Sequence, residues 1–535
     1  MQHPVPGYGR RREALLIFFV GLLLFSIGLG EREFLGFESR FGLFAREMLQ
    51  DGVTPFPTVY GAPYPDYPAT QTLLVYLLSL LYGKLTIFTA VLPSAVCAAL
   101  TLSLTYLSGS LYTRSWGIHA VILELGTVGF VAEARTISLD HIVTACTAFT
   151  AYMACSRSLR NLPPAWLLLA LGLAMGFAVR GPLGLVIPAA VLLACFIALG
   201  EFRRLGPAIL LAALLLAAGI AILLFTAWRE GGEGFVQRLI AFQFTGRLAS
   251  EKPSPWYFYL TAGLYTYAVS FPMALSVIVL RARSFETAEL KLFFAGTAWF
   301  LVVLGLLSIP AAKKSRYLLP AVPAMALLAA SVFPGGVMDG KLDWLRRIVV
   351  KLFIGIPPVG LIAFLIAPLL ARRLDLDLAR LQTQGLVLLS LATLASIGLA
   401  VSKTAPPWRQ TALLAGGVAA LVTVQVFIVE PVQLALETTR PFVERVERLR
   451  GEGQALVFYK IGPDTDDVKY VVNMEVPTHP VFASTPADLV TDDKAAVFIA
   501  GKRDFETLPT EVADRFAVIA TGKLGRRQCV AFRRR

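Results

Sequence analysis

The chain is short of charge. Of its 535 residues only 16% are charged, 56% are hydrophobic, and the mean hydropathy is +0.67. A water-soluble protein of this length needs more charge to wet its surface. Histidine is scarce as well: His3, His119, His141 and His479 lie far apart, which argues against a histidine-built metal site. There are five cysteines. Cys97, Cys146, Cys155 and Cys195 sit in apolar runs and Cys529 stands alone in the polar tail, so no pair has metal-ligand spacing and no disulfide framework is indicated. There is no internal repeat and no low-complexity linker. The net charge of +13 comes from Lys and Arg scattered through short loops. No basic stripe interleaves with aromatics, so nucleic acid is not expected as a partner. Cations facing lipid head groups account for the excess.

Apolar runs close to the length that crosses hydrocarbon recur from Glu13 to Glu430. They predict spans over 13–30, 86–108, 117–134, 141–156, 166–179, 183–199, 207–228, 256–280, 292–308, 318–333, 349–370, 386–401 and 411–429, about 13 crossings. The 70–83 stretch is apolar but short, and reads as an interfacial segment. Arg10-Arg11-Arg12 precedes the first run, which is long and ends in no small-residue cleavage site; it reads as an anchor rather than a cleaved signal. Those arginines favour a cytoplasmic N-terminus, and an odd number of crossings then exports the C-terminus. Near Pro431 charge rises and apolar runs shorten to strand length. Residues 1–430 therefore read as a membrane domain and 431–535 as a soluble extracytoplasmic α+β domain. In the latter a helix is expected over 442–450, and strands over 455–460, 468–472, 495–500, 516–520 and 528–532.

The charge that remains collects in loops assigned to one membrane face: 31–85, 133–141, 229–256 and 310–317. Glu38-Ser39-Arg40 opens a segment in which Phe41, Phe44, Ala45, Met48 and Leu49 recur at helical spacing, predicting an interfacial helix with its apolar side in lipid. Asp66 follows in a loop stiffened by proline and aromatics. Glu133, Arg135 and Asp140 lie where one span leaves and the next enters. Ionisable groups there are costly unless they are paired or have a function, and a bridge from Arg135 to Glu133 or Asp140 is the structural alternative. Arg180, and Arg247 with Lys252, lie on the same side. Lys313, Lys314, Arg316 and Tyr317 put three cations and a phenol within five residues, a set suited to phosphate or diphosphate. Glu124 falls in mid-span and reads as a structural group.

Six stretches carry a resemblance. They are Glu38-Ser39-Arg40 with Ala45-Arg46-Glu47-Met48-Leu49; Tyr60-Gly61-Ala62-Pro63-Tyr64; Glu133-Ala134-Arg135 with Asp140; Arg180-Gly181-Pro182; Pro253-Ser254-Pro255-Trp256-Tyr257-Phe258-Tyr259; and Lys313-Lys314-Ser315-Arg316-Tyr317-Leu318-Leu319-Pro320. Together they resemble the GT-C glycosyltransferases, in the branch of aminoarabinose–lipid A transferases and protein O-mannosyltransferases. The resemblance runs from Glu13 to about Phe333 and extends to the later spans by layout only. It implies an inverting transferase that moves a sugar from a polyprenyl-phosphate-linked donor to a hydroxyl of an envelope acceptor: lipid A, another lipid, a glycan or a protein. It also implies Glu38 as base, Asp140 as second acid, and Arg40, Lys313, Arg316 and Tyr317 as phosphate holders. Asp66, Arg135, Arg247 and Lys314 join them as candidate substrate-binding residues. Phe37 stands where the branch usually carries Asp, so the basic role falls to Glu38.

The expected setting is a bacterial-type inner membrane with a periplasmic site, and membrane lipids as surroundings. No cofactor is expected; a divalent metal is possible, though no residue pattern supports one. The rival class is a polytopic lipid or glycolipid transporter or flippase, which would place ionisable groups near the midplane of the membrane and break its helices in paired halves.

Overall fold

The computed structural model describes residues 8–65, 68–245, 253–281, 290–333, 342–373, 383–402, 408–451, 453–476, 478–491 and 496–535. Two bodies are joined by one long helical exit: a helical membrane part and a C-terminal sheet domain.

Among the described residues, seven helices are long and apolar enough to cross a membrane, and nine spans result if each of two bent pairs counts as one. Tyr8–Ser26 packs along Ile87–Ser110, which in turn packs on Leu139–Cys155. The span expected over 117–134 is two helices, Arg114–Leu125 and Val128–Ala134, bent by 72°. That expected over 256–280 is likewise broken, into Phe258–Thr266 and Ser270–Leu280 at 119°. Pro272 sits in the first turn of the second piece, where a missing N–H costs nothing. A Thr127–Ser270 hydroxyl hydrogen bond of 2.7 Å ties the two breaks together. Hydropathy alone fuses such pieces because a break of a few apolar residues leaves the average unchanged.

The helix expected over 207–228 continues to Ile240, with a kink at Gly231 and Gly232, where Gly232 takes φ +63°. The 70–83 stretch is a regular helix, Thr70–Tyr82.

The C-terminal sheet runs in the order β4-β3-β5-β7-β6. Here β3 is Ala455–Tyr459, β4 Val481–Ala483, β5 Ala496–Gly501, β6 Phe516–Leu524 and β7 Arg527–Arg534; a small hairpin in the long loop after the first helix supplies β1 (Thr58–Val59) and β2 (Ala62–Pro63). The β3 strand is parallel to β4 and β5, while β7 is antiparallel to β5 and β6. The strand expected over 468–472 is instead a helical turn, Asp467–Val471. Asp467 opens it by accepting backbone N–H groups from Asp464 and Thr465, a local arrangement that competes with extended backbone.

The Glu38–Asp51 helix does form, but its apolar side is not in lipid. Leu43 and Phe44 enter the core of the C-terminal domain with Phe442, Val446, Leu456 and Tyr470, while Ala45 packs against the membrane part beside Val75, Ala90 and Ile137. Burial on both sides explains why this helix repeats apolar residues; an amphipathic pattern identifies a buried face without naming what covers it.

Candidate active site

Glu38 begins its helix and is only 2% exposed. Arg32 reaches it from the preceding turn, donating to Oε2 at 2.9 Å and to Oε1 at 3.1 Å. The backbone N–H groups of Leu35 and Ile137 add a hydrogen bond to each oxygen, at 3.3 Å. Burial pushes the Glu38 carboxyl above its usual range, and the Arg32 charge pulls the other way.

Asp140 stands in the first turn of Leu139–Cys155, and Arg180 is the last residue of Ala165–Arg180. The two form a buried ion pair. What brings them together is the turn after Arg180. Gly181 adopts φ +62°, ψ −149°, a conformation open to glycine, and the chain folds back so closely that a Cβ on Gly176 would lie 2.1 Å from the Gly184 carbonyl oxygen. A second guanidinium, Arg316, places Nε 3.5 Å from Asp140 Oδ2. Arg316 and Tyr317 belong to a tight 3-10 segment, Ser315–Ala321, steadied by the Tyr267 hydroxyl donating to the Ser315 carbonyl at 3.0 Å. The Arg180 guanidinium lies 4.5 Å from the centre of the Tyr317 ring, and that of Arg316 lies 4.6 Å from the centre of the Phe37 ring.

Arg316 joins the expected residues into one group: it faces Asp140 and stacks on Phe37, the neighbour of Glu38, while Arg180 pairs with Asp140 and lies over Tyr317. Glu133 feels the Arg316 charge first and that of Glu38 next, and its buried Oε2 accepts no hydrogen bond of normal geometry among the described residues. Lys313 donates to the Ser254 carbonyl at 3.3 Å, tying two inter-helix loops together, and Lys314 is exposed. Asp66, Arg247 and Lys252 lie outside the described residues.

Two expected phosphate holders are engaged elsewhere. Arg135 is completely buried. Its Nε and one Nη2 hydrogen bind Glu430 at 2.5 and 2.9 Å, and the carbonyls of Leu24, Phe25 and Ile27 take the rest. A guanidinium has five N–H donors, and all are used. Arg135 therefore bridges neither Glu133 nor Asp140. Arg40 turns to the C-terminal domain, where Asp464 accepts from it by side chain and by backbone. Around them that domain is fastened closely. Arg46 donates to the carbonyls of Val471, Val472 and Glu475, and the Tyr60 hydroxyl donates to Asp467 at 2.6 Å. Glu33 accepts from the N–H groups of Thr439 and Arg440, capping the Arg440–Leu449 helix.

Below the charged group lies an apolar cavity of about 580 Å³. It is a half-open groove lined by Thr70–Tyr82, Ile87–Ser110, Leu139–Cys155 and Ala165–Arg180, with Leu74, Pro93, Ile142, Phe149 and Met175 among its walls. Two of those four helices carry Asp140 and Arg180 at their ends. No group of three or more His, Cys, Asp or Glu side chains converges on a metal-holding position among the described residues.

Residues 66–228 match the family model described as dolichyl-phosphate-mannose-protein mannosyltransferase. The whole chain superposes on the crystal structure of ArnT from Cupriavidus metallidurans bound to undecaprenyl phosphate, with a TM-score of 0.72 at 15% identity, covering 99% of this chain and 98% of that one. The chain has the fold of ArnT, a GT-C-like architecture. The apo structure of the same enzyme superposes on this chain at a TM-score of 0.69 and 15% identity. By sequence, the undecaprenyl phosphate-alpha-4-amino-4-deoxy-L-arabinose arabinosyl transferase of Pseudomonas savastanoi pv. phaseolicola is 26% identical over 346 residues, covering 62% of this chain and 63% of its own. The enzyme of that name from Yersinia enterocolitica is 25% identical over 307 residues, 55% of this chain and 54% of its own. The chain thus spans about half to two-thirds of the length of these relatives. Within this GT-C fold, neither Arg32 nor Glu430 stands out in the sequence. Arg32 is six positions from its partner across a turn, and Glu430 is 295 from its own.

Proposed function

We propose that this chain transfers a sugar from a polyprenyl-phosphate-linked donor to a hydroxyl of an envelope acceptor, with inversion, at the extracytoplasmic face of the inner membrane, with its N-terminus in the cytoplasm. One observation carries the reading: Asp140 and Arg180, with Arg316 and Tyr317 beside them, stand at the ends of helices that line the apolar groove. A polyprenyl chain suits a wall of Leu, Ile and Phe, and its phosphate then meets two guanidinium groups. Guanidinium binds phosphate in a planar, two-pronged way and never loses its charge. The named donor of the similar transferases, an undecaprenyl phosphate sugar, has this two-part chemistry.

The reaction asks little more. The sugar–oxygen bond to phosphate breaks, and the bond pair leaves with the phosphate, whose growing charge is stabilised by fixed cations in a partly dry site. A carboxylate takes the acceptor's proton, an effect on the order of 10²–10⁴-fold. Glu38 and Asp140 hold Arg32, Arg180 and Arg316 in fixed positions, so the cations need no reorganisation as charge develops. Holding two lipid-borne substrates at one face adds the benefit of orientation. The C-terminal domain, about residues 431–535, roofs the first outer loop through Arg40, Arg46 and Tyr60.

Mass spectrometry of envelope lipids and glycans from cells with and without the protein tests the reading. A sugar-bearing species that vanishes with the protein supports it and identifies donor and acceptor; an unchanged profile rejects it. A transport reading draws on Glu124, whose buried carboxylate oxygens accept no hydrogen bond of normal geometry among the described residues and lie beside a helix break. It predicts that Glu124→Gln stops lipid movement across vesicles while sugar transfer continues.

A further inference from the structure

Three carboxylates stand in the charged group, and they are not equally available. The Glu38 oxygens accept four hydrogen bonds, two from Arg32 and one each from the Leu35 and Ile137 backbone. A carboxylate has about four such acceptor positions. Asp140 is paired with Arg180 on Oδ1, and the Arg316 charge stands 3.5 Å from Oδ2, so its negative charge is already balanced by two cations. A general base must offer a lone pair within hydrogen-bond reach of the proton it removes, and geometry comes before basicity. Burial raises the proton affinity of Glu38, but its oxygens face Arg32 and two amides.

Glu133 differs. The Thr136 and Ser138 hydroxyls neighbour its carboxylate, but its Oε2 accepts no hydrogen bond of normal geometry among the described residues, a costly state for a buried acceptor unless a donor arrives. The side chain as a whole is only partly buried, so it is not sealed off. Arg316 is the strongest charge acting on it, and Arg316 also touches Asp140, within the group that faces the phosphate. Phe37 covers one face of the Arg316 guanidinium.

We infer that Glu133 is the catalytic base, which rests on the transferase reading above. The acceptor hydroxyl donates to Glu133 Oε2. As its oxygen bonds to the anomeric carbon, the hydroxyl proton passes to Glu133. The bond from that carbon to the phosphate oxygen breaks, and its electron pair stays on the polyprenyl phosphate between Arg180 and Arg316. Protonated Glu133 then releases its proton to water. Glu38 and Asp140 act as positioning residues that hold the cations.

The test is made in cells lacking the protein, complemented with the wild type, Glu133→Gln, Glu133→Asp or Glu38→Gln. The sugar-bearing species lost on deletion is followed by mass spectrometry. Each purified protein is also measured for thermal midpoint and for the shift in it caused by undecaprenyl phosphate. Glu133→Gln is expected to cut product formation on the order of 10²–10⁴-fold, with its midpoint and undecaprenyl phosphate shift at wild-type values; Glu133→Asp is expected to restore part of the rate. Glu133→Gln forming product at the wild-type rate overturns the assignment and leaves the transferase reading standing. A Glu133→Gln protein that loses product only together with its thermal midpoint or its lipid shift also overturns it, in favour of a structural role. No product lost on deletion rejects the transferase reading itself.

Discussion

Glu430 and Arg135 lie 295 positions apart and meet in a two-pronged ion pair at 2.5 and 2.9 Å, deep between the first and last membrane helices. The Arg135 backbone carbonyl also accepts from Arg32, the residue that grips Glu38. The end of the last span is thereby connected to the candidate site through two arginines. Removing one partner strands a buried charge, which costs roughly 3–5 kcal/mol. Glu430→Ala is expected to lower the unfolding free energy by about that much, read from thermal or denaturant unfolding in detergent. Replacing both partners by apolar residues is expected to recover most of the loss, because the stranded charge is gone. An unchanged midpoint in Glu430→Ala would contradict the pairing.

Arg40 and Asp464 make the contrasting case. Their side chains are 33% and 24% exposed, and solvent screens much of their attraction. Arg40→Ala is expected to cost about 1 kcal/mol or less. Because Arg40 is turned to the C-terminal domain, the same variant is expected to keep the wild-type affinity for undecaprenyl phosphate, measured by thermal shift. A large loss of affinity would return Arg40 to the phosphate site.

The contrast explains what the sequence conveyed. Apolar runs report burial in hydrocarbon, so the helical membrane part and the short strands of the tail were readable. The clustering of charge in the separate loops that hold Glu38, Asp140 and Lys313–Tyr317 was visible too, because little other charge interrupts the apolar runs. Pairing was not. Arg135 reads as a substrate-binding cation or a local bridge to Glu133 or Asp140 until Glu430 is brought across the membrane part, and the Glu38–Asp51 helix reads as lipid-facing until a domain nearly 400 residues later covers it. Broken spans escape for a related reason, since averaging over a window hides the bends at 126–127 and 267–269.

Glu38 gives a pH-dependent signature. Burial raises its folded-state pKa above the ordinary 4.5. A raised carboxyl binds its proton more tightly when folded, so its contribution to stability is full below about pH 4.5 and is lost as pH climbs through the folded value. Glu38→Gln removes that titration. The thermal midpoint of the wild type minus that of Glu38→Gln is therefore expected to fall as pH rises from 4.5, and to level off once Glu38 is ionised. A difference that grows with pH would show that Arg32 outweighs desolvation.

Gln71 and Gln243 yield a prediction in which stability and function move in opposite directions. Both are buried, at 2% and 7% exposure. The Gln71 amide has no partner on either atom, and the Gln243 nitrogen has none, among the described residues. Both lie against the end of the helix that carries Arg180. Thr70, next to Gln71, donates to the Ala178 carbonyl at 2.6 Å, and Gln243 Oε1 lies 3.8 Å from where a Gly181 Cβ would stand. Neutral amides give no charge pattern, so no reading of the sequence singles them out. An unpaired buried amide costs about 1–3 kcal/mol, and a hydroxyl-rich sugar would supply the missing partners. Gln71→Met keeps the volume and removes the unpaired atoms, so its thermal midpoint is expected to rise. Its KM for the sugar donor is expected to rise several-fold, with the undecaprenyl phosphate shift unchanged because the phosphate and tail contacts remain. Should the midpoint rise while KM stays at the wild-type value, Gln71 is a packing defect and faces no substrate.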